Sequence, residues 1–456
     1  VNDPSAWVND SNAVLLTDLY ELAMLQAYFE EGMEKEAVFE LFPRRLPERR
    51  NYLVACGLDD VLHYLETLSF PPEAIAGLSR LGRFSDRFLE RLARLRFSGD
   101  VYAVPEGTVV FGGEPLVEVV APLPEAQLAE TFLMNQVHFQ TLAASKAARV
   151  VTAAAGRAVV DFGVRRMHGT DAGMKAARAF FIAGIQSTSN VLAGVTYGIP
   201  VAGTMAHSYV QAHADETEAF RAFARVFPDT VLLVDTYDTL EAVRKVVALA
   251  REMGDRFRIS SVRLDSGDLD TLSKAARRIL DDGGLRDVSL FASSSLDEYA
   301  IAKLLAGGAP IAGFGVGTHM GVSEDAPYLD MAYKLVEYDG VGRTKLSPKK
   351  PILPGRKQVF RTLARGVAAG DVIAGHEEVL DGRPLLVQVM KSGRRTAAGR
   401  ETLLVARDRA RRELAELPTR LRALEAASPP YPVRVSAALE AEHERVSEEH
   451  GRSGAS

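Results

Sequence analysis

Between residues 157 and 320 the sequence repeats one pattern, in which a short apolar run ends in small or polar residues and is followed by a stretch long enough for a helix. The runs are 158–163, 199–204, 231–235, 261–265, 288–292 and 311–315. They recur at roughly 30 residues, the length of a strand-plus-helix unit. Apolar runs with few polar interruptions suit parallel strands covered on both faces, and a segment such as 237–253 is long enough for a crossover helix. A parallel α/β domain follows. A complete barrel takes about eight such units, and six are legible, so the expected architecture is an irregular or incomplete α/β barrel. A doubly wound open sheet is the alternative.

Both architectures gather function in the loops beyond the C-terminal ends of the strands, and the unusual residues of this chain lie there. Arg165-Arg166, His207-Ser208, Asp235-Thr236-Tyr237-Asp238, Asp265-Ser266-Gly267-Asp268, Ser293-Ser294-Ser295 and Gly315-Val316-Gly317-Thr318 each follow a predicted strand. Arg165 and Arg263 can form paired hydrogen bonds to phosphate oxygens, and the Gly315 and Gly317 turn lets backbone N–H groups approach an anion with no Cβ in the way. Asp265 and Asp268, on a glycine-containing turn, suit ribose hydroxyls or a magnesium ion, although such a turn also caps helices. A sugar phosphate is the ligand that this set of groups fits.

The flanks read differently. Over 17–31, Leu19, Leu22, Ala23, Leu25 and Phe29 recur at helical spacing with Asp18 at the first turn. The segments 100–111 and 116–120, rich in Val and broken by Pro105, Gly107, Gly112 and Gly113, predict strands of a separate α+β region, with a boundary near residue 130. The expected division is 1–130, an N-terminal α+β domain; 131–345, the barrel with the active site; and 346–456, which partly completes the N-terminal domain and ends in a charged helical tail. That tail, over 407–426, interleaves Arg and Glu and is broken at Pro418, which suits a solvated helix, and the Gly/Ser-rich end beyond Glu448 is expected to be disordered.

Composition narrows the function classes. A net charge of -6 disfavours a large nucleic-acid surface. The apolar runs are far shorter than the roughly 20 residues a membrane span needs. Cys56 is the only cysteine, so neither an internal disulfide nor a cysteine-built zinc site is available, and a reducing cytoplasm is the expected compartment. His207 and His213 are six apart and would face different directions on one helix, so no structural metal site is expected.

Asp161-Phe162-Gly163-Val164-Arg165-Arg166, followed by Ser187-Thr188-Ser189-Asn190 and Gly203-Thr204-Met205-Ala206-His207-Ser208, resembles the nicotinate phosphoribosyltransferases. The resemblance continues through Thr17-Asp18-Leu19-Tyr20-Glu21-Leu22, Val234-Asp235-Thr236-Tyr237-Asp238, Arg263-Leu264-Asp265-Ser266-Gly267-Asp268, Phe314-Gly315-Val316-Gly317-Thr318 and Pro354-Gly355-Arg356-Lys357-Gln358, over most of the chain. It implies a type II phosphoribosyltransferase fold, an irregular α/β barrel with a second α+β domain built from both chain ends, in a homodimer with shared active sites. It also implies the reaction of nicotinate with phosphoribosyl pyrophosphate to give nicotinate mononucleotide and pyrophosphate in NAD salvage. That reaction would be coupled to ATP hydrolysis, with Mg2+ accompanying ATP and phosphoribosyl pyrophosphate.

By that similarity Phe162 and Tyr20 sandwich the pyridine ring, Tyr20 reaching from the other subunit; the plainer reading makes Phe162 a core residue and Tyr20 a helix-packing one. Arg165, Arg263 and the Gly315 and Gly317 backbone clamp phosphates, and Asp265 holds ribose hydroxyls. His207, in the matched Ala-His-Ser segment, is the implied phosphohistidine, and Asp235 at the next strand end is expected to orient its ring. Nicotinamide-using relatives carry an aspartate at the position similar to Ser189, so the serine favours a carboxylate-bearing ring. Relatives tend to place a glycine before the second lysine of 345–350, where this chain has Pro348-Lys349. A nicotinamide-specific enzyme, a quinolinate enzyme and a non-catalytic nucleotide-binding sensor of the same fold are the competing readings.

Overall fold

The computed structural model describes residues 7–346 and 352–453. The chain forms two compact units, Val1–Leu142 with Tyr328–Ser456, and Ala143–Pro327. The divisions at 142/143 and 327/328 differ from the sequence expectation of 130 and 345. One helix, Glu130–Ala153, runs unbroken through the first of them, so no loop marks the boundary.

The first unit interleaves the two chain ends in one antiparallel sheet. Strand Glu36–Arg45 pairs with Asp330–Tyr338 on one side and Val117–Pro122 on the other, and Asp100–Ala103 pairs with Val387–Lys391. Its main core cluster includes Leu41, Leu53, Val61, Leu62, Val101 and Val389, all essentially sealed from solvent, and a smaller one gathers Val38, Val120, Val336 and Ile352. The predicted first helix spans Leu19–Glu31 and stops at Gly32, whose φ of 68° reverses the chain while its N–H caps the Phe29 carbonyl. The tail departs from expectation: a helix runs from Ala437 to Ser453, past the predicted disorder after Glu448. The Gly and Ser of this stretch extend a helix already nucleated by the preceding Ala- and Glu-rich turns. The distinctive 347–350 segment lies outside the described residues.

The second unit holds six parallel strands: Ala158–Asp161, Ser187–Thr188, Val231–Leu233, Ser261–Leu264, Ser289–Ala292 and Gly313–Val316, taken below as the first to the sixth. The first pairs with the sixth, Val160 opposite Gly315, and otherwise each strand neighbours its successor in sequence, except between the second and third. Joining first to last is what a barrel does, so the alternative of a doubly wound sheet is excluded and the barrel is left open at one seam.

That seam lies where one predicted strand failed to form. The run 199–204 contributes only a single bridge, Val201 with Thr188. The bridge consists of the Thr188 N–H donating to the Pro200 carbonyl and the Ala202 N–H donating to the Thr188 carbonyl, and Pro200, with no N–H of its own, cannot extend it toward the start of the run. Ser187–Thr188, too short to be read as a strand, takes the edge. Aspartates begin the following helices: Asp215, Asp238, Asp268 and Asp297 each accept from a backbone N–H of the next turn.

Candidate active site

The strand ends of the barrel unit converge on one cavity of about 670 Å3. Seven residues singled out from the sequence line it: Phe162, Arg165, Ser189, Arg263, Asp265, Gly315 and Gly317. Parallel pairing brings them together, because each sits at or just past the C-terminal end of its own strand.

Phe162 forms one wall. Its ring packs flat on the sixth strand, where a Cβ at Gly315 would come within 2.4 Å of Phe162 Cε2, so Gly315 is required by the ring rather than by backbone conformation. Phe291 meets the ring at 6.1 Å between centroids, and the Arg263 guanidinium carbon lies 5.9 Å from its centroid. Arg263 donates from Nη2 to the Met205 carbonyl at 3.0 Å, while its buried Nε has no partner among the described residues. Burial disfavours its charge and Arg165 adds repulsion, partly offset by Asp265 and Asp235. Two arginines, one desolvated and one exposed, therefore face a space that an anion would stabilise.

Ser189 donates its backbone N–H to the Asp161 carbonyl at 2.8 Å, and its buried hydroxyl is left without a partner among the described residues. Beneath it the Asp161 carboxyl is pushed up to about 6 by burial, against the pull of hydrogen bonds from Gly163 and Thr188. Ser294, on the wall after the fifth strand, holds a φ of 91°. Positive φ in a residue with a Cβ is strain of the kind found at ligand sites.

His207 begins the short helix His207–Gln211 beside the open seam. Its Nδ1 lies 3.2 Å from Thr236 Oγ1 and its Nε2 3.8 Å from Asp265 Oδ2. The expected pairing with Asp235 is corrected here. Asp235 Oδ2 instead accepts from the Asp265 N–H at 3.1 Å and Ser266 Oγ at 2.5 Å, because parallel pairing of the third and fourth strands turns it toward the neighbouring strand end. Asp265 in turn accepts from Ser293 Oγ. Asp268 is a helix cap, taking the Asp270 and Thr271 N–H groups and the Thr271 hydroxyl, and these bonds hold its carboxyl below the usual range.

Tyr20 lies in the first unit, on the exposed face of helix Leu19–Glu31, where burial and then the Glu130 and Glu21 carboxylates push its phenol well up. The sequence reading placed Thr236 and Ser293 in the strand-end clusters, and Met205 in a matched segment, but gave none of the three a role; the structure makes them partners of His207, Asp265 and Arg263. Only the cross-strand neighbours reveal which of two adjacent side chains turns inward.

Comparison with known proteins follows the same outline. A model described as the nicotinate phosphoribosyltransferase N-terminal domain matches residues 15–138, and one described as the nicotinate phosphoribosyltransferase family matches 157–367. The chain is 58% identical over 422 residues to nicotinate phosphoribosyltransferase pncB2 of Mycobacterium tuberculosis, spanning 92% of this chain and 91% of that one. It is 44% identical over 379 residues to the nicotinate phosphoribosyltransferase of Bacillus subtilis, spanning 81% and 77%. Among solved structures, human nicotinic acid phosphoribosyltransferase superposes with a TM-score of 0.84 at 28% identity, over 94% of this chain and 99% of that one.

Proposed function

Since the chain belongs to the nicotinate phosphoribosyltransferase family, we propose that it transfers the phosphoribosyl group of phosphoribosyl pyrophosphate to the ring nitrogen of nicotinate. The products are nicotinate mononucleotide and pyrophosphate, the salvage step toward NAD. The observation that carries this reading is the convergence, in one cavity, of an aromatic wall at Phe162, a buried Ser189 hydroxyl with no partner among the described residues, and two arginines, Arg165 and Arg263. These are the groups that a flat acid and a phosphorylated sugar require.

Displacement at the anomeric carbon passes through a species resembling an oxocarbenium ion, so the protein need only align the ring nitrogen and stabilise departing pyrophosphate. Phe162 orients the ring, with Tyr20 of a second subunit closing the other face of a homodimer's shared site. Ser189 receives the ring carboxylate, and its lack of charge favours nicotinate over nicotinamide. Arg165, Arg263 and the Gly315 and Gly317 backbone hold phosphate oxygens, and Asp265 holds ribose hydroxyls.

The ATP coupling is also part of the proposal. A neutral imidazole nitrogen of His207 attacks the terminal phosphorus of ATP, ADP leaves, and hydrolysis of the phosphohistidine follows. Thr236 and Asp265, which contact or face the two ring nitrogens, fix the ring for this. Asp235 acts through Asp265, whose backbone and turn it braces. Asp265 on the cavity wall is the carboxylate that would face a Mg2+ ion accompanying ATP and phosphoribosyl pyrophosphate, and such an ion would offset the polyphosphate charge. In the same reading the unit built from both chain ends is the family's α+β domain and the enzyme works in the cytoplasm. No helix among the described residues is long and apolar enough to cross a membrane.

The test is product formation from phosphoribosyl pyrophosphate with nicotinate, nicotinamide or quinolinate, with and without Mg-ATP, for the wild type and His207→Ala. Nicotinate mononucleotide formed selectively, with ADP release abolished in the variant, is the expected result. Preference for nicotinamide removes the Ser189 argument, and absence of any pyridine mononucleotide removes the enzyme reading.

A further inference from the structure

Phe162 and Ser189 stand at the ends of two neighbouring strands, and a third side chain sets how those ends lie against each other. Asp161 is fully buried. Its Oδ1 accepts from the Gly163 N–H at 2.8 Å, immediately after Phe162 in the chain. Its Oδ2 accepts from Thr188 Oγ1 at 2.7 Å, immediately before Ser189. The backbone repeats the link, since the Ser189 N–H donates to the Asp161 carbonyl. Thr188 Oγ1 also accepts from the Asn190 N–H at 3.1 Å, and Asn190 Nδ2 donates to the Gly173 carbonyl at 3.2 Å, which anchors the second strand end on helix Thr170–Ile182.

A buried carboxylate held only by neutral donors is a costly way to fill space. What it provides is an acceptor on each oxygen in one rigid plane, one for a backbone N–H and one for a hydroxyl. An asparagine offers a single acceptor oxygen, and its NH2 would meet a Thr188 Oγ1 that already accepts from Asn190, leaving the threonine proton without a partner. The room for the link is tight, because a Cβ at Gly163 would lie 3.1 Å from Asp161 Oδ1.

We propose that Asp161 is a positioning residue for pyridine recognition: by clasping Gly163 and Thr188 it fixes the Phe162 ring relative to the Ser189 hydroxyl. It thereby governs binding of the ring and its substituent, and not the handling of the phosphoribosyl donor. The inference rests on the nicotinate phosphoribosyltransferase reading and deepens it.

The experiment is steady-state kinetics on the full chain, varying each substrate separately, for wild type, Asp161→Asn, Thr188→Val, Thr188→Ser and the Asp161→Asn/Thr188→Val double variant. Misplacing a bound group by an ångström or less costs up to roughly a hundredfold, so the KM for nicotinate is expected to rise about tenfold in Asp161→Asn and Thr188→Val. The KM for phosphoribosyl pyrophosphate should stay within about twofold. The double variant should be no worse than Asp161→Asn alone, because both remove one link, and Thr188→Ser, which keeps the hydroxyl, should restore wild-type KM. Equal rises in both KM values, additive losses, or an unchanged nicotinate KM in Asp161→Asn would overturn the proposal. If Asp161→Asn fails to fold, as thermal melting will show, the contrast between Thr188→Ser and Thr188→Val decides: equal KM values in the two overturn it. A wild type that makes no nicotinate mononucleotide overturns the function reading itself, whereas an active wild type with an indifferent Asp161→Asn overturns only this inference.

Discussion

The two units each contain a cluster of arginine and carboxylate, and the clusters are finished differently. In the unit built from both chain ends, Arg361 is 1% exposed and its guanidinium is taken up by Asp371 at 2.6 Å and Glu413 at 2.8 Å. Tyr431 donates to the same Asp371 at 2.7 Å, and the Phe111 ring lies 5.4 Å from the guanidinium carbon. In the barrel unit Arg263 has one carbonyl bond and an unpartnered Nε, and Asp235 has an unpartnered Oδ1, among the described residues. A buried charge that the protein pairs internally supports the fold; one left short beside a cavity is a group that a bound ligand would satisfy.

Four substitutions would break or sharpen that contrast. Arg361→Ala leaves Asp371 buried with the Tyr431 hydroxyl but no cation, and Glu413 with Arg383 alone, so it should cost about 3–5 kcal/mol of stability. Denaturant unfolding would measure this; a loss below about 1 kcal/mol would mean that the satisfied cluster is not structural. Arg263→Ala should do the opposite, lowering kcat/KM by about 10²–10³-fold while unfolding stability changes by less than about 1 kcal/mol.

Glu118→Gln probes buried carboxylates in the first unit. Burial, with repulsion from Glu40, pushes the Glu118 carboxyl up to about 8, against the pull of Lys357. The folded protein therefore binds a proton there that the unfolded chain releases near 4.5, so stability from this group is complete below about pH 4.5 and is lost as pH rises through 8. The variant should lack that slope and exceed wild type at pH 8 by on the order of 1–3 kcal/mol; parallel melting profiles for the two proteins would refute it. Ser294→Gly, the smallest effect, should relieve a positive φ and stabilise by about 0.5–1 kcal/mol. If melting shows no gain, the strain at this cavity wall is not stored energy.

The same contrast explains what could be read early. Strands 158–161, 261–264 and 289–292 were legible as apolar runs because a parallel strand covered on both faces leaves a local signature. The cavity residues were legible because they follow those runs. Asp268 was ambiguous between ligand and cap, and only the bonds to Thr271 resolved it as a cap. The pairing of His207 was misread, since Asp235 and Thr236 are adjacent in sequence and which one meets the ring depends on how two strand ends twist past each other. The satisfied Arg361 cluster was not read at all, because its members lie on segments far apart in the chain and carry no local pattern.

By itself, then, the sequence determined the βα rhythm, the helix starts and the kinds of side chain gathered at the strand ends, since these follow from local periodicity and residue chemistry. The tertiary structure decided where the barrel opens, which chain segments share the antiparallel sheet, and which hydroxyl or carboxylate faces His207. Those outcomes are set by hydrogen bonds and burial between residues distant in the chain, and a linear pattern does not encode which distant partner will meet each group.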